Sequence, residues 1–78
     1  NKDYKLYLTA HTDNTGDDSY NINMSNKRAN EAKKYIVKHG IKIDRIDAKG
    51  VGSSKPLVAN DSEYNKQLNR RLEAKFAN

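Results

Sequence analysis

The stretch Tyr4-Lys5-Leu6-Tyr7-Leu8-Thr9-Ala10 decides the fold of this 78-residue chain. Its residues alternate in character. Tyr4, Leu6, Leu8 and Ala10 fall on one face of an extended segment, and Lys5, Tyr7 and Thr9 fall on the other. Successive side chains of a strand point to opposite faces, so this pattern predicts a strand with one face buried. Downstream, His11 to Ser19 is polar, with Gly16 followed by the paired Asp17 and Asp18, and reads as a loop. A strand running into such a loop, with helical periodicity beyond it, is the start of an α/β unit.

The helix is placed by Ala29, Ala32 and Ile36, which recur at helical spacing with Tyr35 and His39 beside them. Ser25 is the expected N-cap, which puts Arg28 in the first turn. Lys33, Lys34 and Lys38 suit the C-terminal end of the helix dipole, and Gly40 supplies the stop. A second strand is predicted from about Asp44 to Lys49, with Ile46 and Ala48 inward. Gly50, Gly52, Ser53, Ser54 and Pro56 then read as a turn-rich connector. Asp61 to Leu68 is a short helix capped by Asn60 or Asp61. The last strand, Arg71 to Phe76, alternates with Leu72, Ala74 and Phe76 inward and Arg71, Glu73 and Lys75 outward. A long helix between two strands implies a parallel crossover. The expected architecture is one domain over residues 1–78: an α/β (α+β) two-layer sandwich with a mixed sheet and its helices on one face.

The core has to be thin. Leu, Ile, Val and Phe total 14 of 78 residues, against 32% charged. The net charge of +5 suits an acidic partner or surface, and the lysines are scattered rather than gathered in one block. With no cysteine, disulfides and thiolate metal sites are excluded. No apolar run approaches the ~18 residues that cross a bilayer. The chain begins at Asn1 without methionine and reads as an excised or processed piece.

Enzyme chemistry finds little to work with. His11 and Asp13 are near in sequence, but no nucleophile elbow accompanies them. Two distant histidines without cysteine make a poor zinc set. The run from Asp13 to Asp18 has the acidity of a calcium loop, yet its glycine stands fourth and Met24 occupies the twelfth position. Gly50-Val51-Gly52 alone is too little for a phosphate loop. No catalytic, metal or cofactor site is expected. The more informative pair is Asp13, in the loop leaving the first strand, with Arg28 on the helix. That end of an α/β unit is the usual ligand site. A carboxylate beside a guanidinium can receive a zwitterion, ammonium on Asp13 and carboxylate on Arg28.

Four ordered motifs give this a family context. Thr9-Ala10-His11-Thr12-Asp13-Asn14-Thr15-Gly16 resembles the "GHTDNTG" signature of OmpA-like C-terminal peptidoglycan-binding domains. Met24-Ser25-Asn26-Lys27-Arg28-Ala29 is similar to that family's "LSxxRA", and Gly50-Val51-Gly52 with Pro56 to its "GxGxxxP". Asn69-Arg70-Arg71-Leu72 resembles the closing "NRRV". Such domains occur in outer membrane proteins, peptidoglycan-associated lipoproteins and flagellar stators. The resemblance implies a non-enzymatic periplasmic module that grips peptidoglycan through the diaminopimelate of the stem peptide. It anchors the outer membrane or an envelope complex to the cell wall, from a parent that is membrane-embedded or lipid-anchored. It further implies that Asp13 takes the ligand's ammonium and Arg28 its carboxylate. Asn21 and Arg70 match secondary ligand contacts of relatives, and Thr15 sits in the same loop as Asp13 and joins the expected ligand-binding set. Ala10 and Met24 depart from the usual glycine and leucine.

Relatives open with a strand and a helix ahead of this point, so the resemblance implies an N-terminally incomplete domain. One long helix also covers three strands poorly, and an exposed apolar patch is expected on the sheet. The alternative that charge alone supports is a generic basic module for nucleic acid or anionic lipid.

Overall fold

The computed structural model describes residues 4–77. Strand β1 (Lys5–His11) leads into the long helix α1 (Asp18–Lys38), and a short 3-10 turn (Ile43–Arg45) feeds strand β2 (Ile46–Gly52). A second helix, α2 (Glu63–Asn69), precedes strand β3 (Arg71–Ala77). The three strands form a mixed sheet in the order β2-β1-β3, with β1 parallel to β2 and antiparallel to β3. The parallel crossover and the α+β class are as the sequence predicts. None of the helices among the described residues is long and apolar enough to cross a membrane.

α1 starts seven residues before the expected cap, so Ser25 is not its N-cap and Arg28 lies in its middle rather than its first turn. Asp17 flanks the true start and Asp18 lies in the first turn, where a negative charge suits the dipole. The early turns escape a search for apolar periodicity because their inward residues are polar. Asn21, Ser25 and Ala29, four apart, are the buried stripe of α1.

Ser25 faces β2 and bridges the helix backbone to it. Its hydroxyl donates to the Ile22 carbonyl (2.9 Å) and accepts from the Gly52 amide (3.0 Å). The Asn26 side-chain oxygen accepts from the Gly50 amide at 2.7 Å. Gly50 and Gly52 therefore end β2 and are not part of the connector. A Cβ on Gly50 would run into the backbone of Ser25 and Asn26, so only glycine lets helix and strand approach this closely. At the other end, Gly40 (φ 112°) reverses the chain, its amide donating to the Val37 carbonyl.

The core lies between α1 and the β1–β2 half of the sheet. Leu6, Leu8 and Ile46 are buried there, and Ala32, Ile36, Val37 and Ala48 pack against them. β3 differs. Leu72, Ala74 and Phe76 pair with Ala10, Leu8 and Leu6 across the ladder, yet Leu72 remains 48% and Phe76 67% exposed. The expected inward side of β3 shares a face with the core but is uncovered by α1, in keeping with the expected apolar patch. The cap of α2 is Ser62, whose hydroxyl accepts from the Asn65 amide at 3.1 Å. Asn60 and Asp61 bond Asn69 and Asn65 instead.

Candidate functional site

The site is built where β1 ends and β3 begins. Antiparallel pairing puts His11 opposite Arg71, so Asp13, two residues past His11, meets Arg70, one residue before Arg71. Asp13 is buried (5% exposed). One carboxylate oxygen accepts from the Thr15 amide at 2.8 Å, closing a tight Asx turn. The other accepts from Arg70 Nε at 2.6 Å. Burial alone would raise this carboxyl, but the Thr15 amide and the Arg70 guanidinium outweigh it and hold it below its ordinary value. Asp13 is thus an anion at neutral pH. It uses two of its roughly four acceptor positions, which leaves room for another donor.

Neighbouring groups hold the loop rigid. The Thr12 amide donates to the Gly52 carbonyl (2.9 Å), and the Asn21 side chain donates to the Thr15 carbonyl (3.1 Å), tying the loop to β2 and to α1. Arg70 spans two carboxylates, its second arm donating to Glu63 at 2.8 Å. Asn69 is fully buried and saturates its amide on the connector. Its oxygen accepts from the amides of Leu57 (2.7 Å) and Val58 (3.1 Å), and its nitrogen donates to the Val58 carbonyl (2.9 Å) and to Asn60 (2.8 Å). This residue fixes the backbone from which Arg70 projects. In the sequence Asn69 stands out only as part of the NRRV-like motif, and its place at the end of a helix just before two arginines is the signal for this supporting role.

Arg28 does not pair with Asp13. It is exposed and forms no ion pair among the described residues. It lines a hollow of about 180 Å³ together with Ala10, Arg70, Arg71 and Leu72. Three guanidiniums border one small depression, and two are committed: Arg70 to Asp13 and Glu63, Arg71 to Glu73 at 2.8 Å. The uncommitted one is Arg28. Of the five residues singled out from sequence, Asp13, Thr15, Asn21 and Arg70 form one bonded cluster, and Arg28 joins it across the hollow. The chemistry on offer is an ionised carboxylate with spare acceptor positions, bonded to Arg70, and a free guanidinium on the hollow that Arg70 also lines.

A sequence model of the OmpA family matches residues 1–70. The chain belongs to the OmpA family. Outer membrane porin F of Pseudomonas fluorescens is 42% identical over 67 residues, covering 86% of this chain and 21% of the porin. The C-terminal domain of Helicobacter pylori MotB superposes with a TM-score of 0.93 at 24% identity, over 100% of this chain and 60% of that one. The cell wall anchor of the T6SS from Pseudomonas aeruginosa gives a TM-score of 0.82 at 26% identity, over 92% of this chain and 53% of the anchor. This chain therefore spans about a fifth of the porin it matches, and its OmpA-family fold is the part held in common.

Proposed function

We propose that this OmpA-family domain binds peptidoglycan non-covalently and serves as a cell-wall anchor, with the diaminopimelate of the stem peptide as its ligand. The domain works on the periplasmic side of the bacterial envelope. The observation that carries the reading is the buried, ionised Asp13, bonded to Arg70, with the unpaired Arg28 lining the same hollow as Arg70. A ligand ammonium fits the free acceptor positions of Asp13, and a ligand carboxylate fits the Arg28 guanidinium. Arg70 keeps Asp13 oriented and lends the hollow a second cation, while Thr15 and Asn21 hold the loop in its binding shape. The reading is one of recognition without catalysis, and the parent protein is membrane-embedded or lipid-anchored. Likeness to a protein described as a cell wall anchor supports it.

Titration calorimetry with diaminopimelate, against lysine as the analogue lacking the second carboxylate, tests the proposal. Binding in about the micromolar to millimolar range is expected for one small open site, with lysine much weaker. Arg28→Ala should weaken diaminopimelate binding roughly tenfold to a hundredfold while leaving the fold intact, since a charge-assisted contact contributes about 1.5 to 3 kcal/mol. Equal binding of both ligands, or full binding by Arg28→Ala, would refute the assignment. A generic basic module for nucleic acid or anionic lipid would instead lose affinity steeply with salt.

A further inference from the structure

We propose that His11 is a positioning residue for the ligand site, a neutral wedge that sets the Asp13–Arg70 geometry and releases it when the ring is protonated. The inference rests on the reading of Asp13, Arg28 and Arg70 as the ligand site. His11 ends β1 two residues before Asp13 and stands opposite Arg71, the neighbour of Arg70. Its side chain is 3% exposed. Neither ring nitrogen has a hydrogen-bond partner among the described residues. Buried polar nitrogens without partners are uncommon and call for an explanation.

The surroundings supply one. From β3, the Glu73 carboxylate approaches Nε2 at 3.5 Å without forming an aligned hydrogen bond, and Arg71 lies beside it. From the connector, the Lys55 cation acts on the same ring, and Asp13 follows two residues on, in the loop after β1. Glu73 is held by Arg71 Nε (2.8 Å), and Arg71 in turn donates to the Lys55 carbonyl (3.1 Å) and the Asn69 carbonyl (3.3 Å). With His11 neutral, this chain stands undisturbed and Asn69 presents Arg70 to Asp13. A proton on His11 changes it. The imidazolium draws in Glu73 Oε1 while Arg71 holds Oε2, and its charge repels Arg71 and Lys55. Arg71 then loosens its hold on the two carbonyls, and the backbone carrying Arg70 shifts. Burial together with the Arg71 cation already favours the neutral ring and holds its pKa below the usual histidine value.

Two measurements on the full chain test this. In the ligand-free protein, the Arg70 Nε–H and Thr15 amide resonances should move between about pH 7.5 and about pH 5, with the midpoint of the His11 ring signals. Static Arg70 and Thr15 signals while His11 titrates would overturn the inference. So would movement that persists unchanged in His11→Phe, which keeps a ring without a proton to take up.

The second measurement is diaminopimelate affinity over the same range, where neither ligand carboxylates nor Asp13 change charge. Wild type should bind roughly three- to tenfold more weakly at about pH 5.5 than at about pH 7.5. His11→Phe should bind equally at both, and the exposed-site control His39→Gln should behave as wild type. A wild-type affinity that does not change with pH, or a slope kept by His11→Phe, would overturn the proposal. If wild type bound no diaminopimelate at either pH, the ligand assignment would fail, while the resonance measurement would still judge His11. Should His11→Phe not fold, the wild-type resonances decide alone.

Discussion

The two flanks of β1 carry the same kind of apolar alternation and are held in opposite ways. On the β2 side, α1 lies against the sheet closely enough for Ser25 and Asn26 to bond the amides of Gly52 and Gly50, and Leu8 and Ile46 are sealed beneath it. On the β3 side, Leu72 and Phe76 present equally apolar residues that nothing in the described chain covers. β3 is joined to β1 by its backbone ladder and, just before its first residue, by the ion pair of Arg70 with Asp13 in the loop that follows β1. One flank is fixed by packing and the other by charge. Alternation tells which face of a strand is apolar, but coverage depends on where a helix lands.

Three experiments would break or sharpen that contrast. The largest effect is expected from Gly50→Ala, because the added methyl meets helix backbone that cannot move aside. It should cost about 3 kcal/mol, the upper end for overpacking, read as a lowered midpoint in chemical denaturation. A neutral outcome would mean that the α1–β2 contact is looser than described. Next come paired truncations. Leu8→Ala, 1% exposed, should cost about 2 to 3 kcal/mol, the lower end for a leucine truncation in so thin a core, whereas Phe76→Ala on the same sheet face should cost less than about 1 kcal/mol. Equal losses would show that the β3 face is buried in solution by something outside this chain.

The smallest effect is that of acid. Asp13 and Glu73 both titrate below their ordinary values, Asp13 through the Thr15 amide and Arg70 against the opposing effect of burial, Glu73 chiefly through Arg71. A carboxylate with a depressed folded pKa stabilises the fold fully above its ordinary value, and that stabilisation is lost as pH falls through the lowered one. Hydrogen exchange should therefore show β3 amides losing protection below about pH 4 while those of β2 hold. Simultaneous loss on both flanks would erase the distinction.

The start of α1 shows how far the sequence could be read. Its C-terminal half is legible, because Ala29, Ala32 and Ile36 recur at helical spacing and Gly40 ends the run. Its first half is not, because the inward positions there are Asn21 and Ser25. A reading based on apolar periodicity discards polar residues, yet both side chains find partners, in the 12–17 loop and at the end of β2. The error carried over to the site. Apolar periodicity places Arg28 in the first turn of the helix, whereas it reaches the hollow from mid-helix.

The sequence by itself determined the elements and the chemistry: a 3.6-residue period for α1, period-two alternation for the strands, and the presence of Asp13, Arg28 and Arg70 in recognisable motifs. These are local properties, set by side-chain spacing along the backbone. Only the tertiary structure decided which partners meet. Asp13 takes Arg70, 57 positions away, because the antiparallel register of β1 and β3 places them side by side. His11 is buried without a hydrogen-bond partner among the described residues for the same reason, and the described chain leaves β3 bare because α1 lies over β2. Such pairings follow from how elements stack in space, and residue spacing along the chain does not encode them.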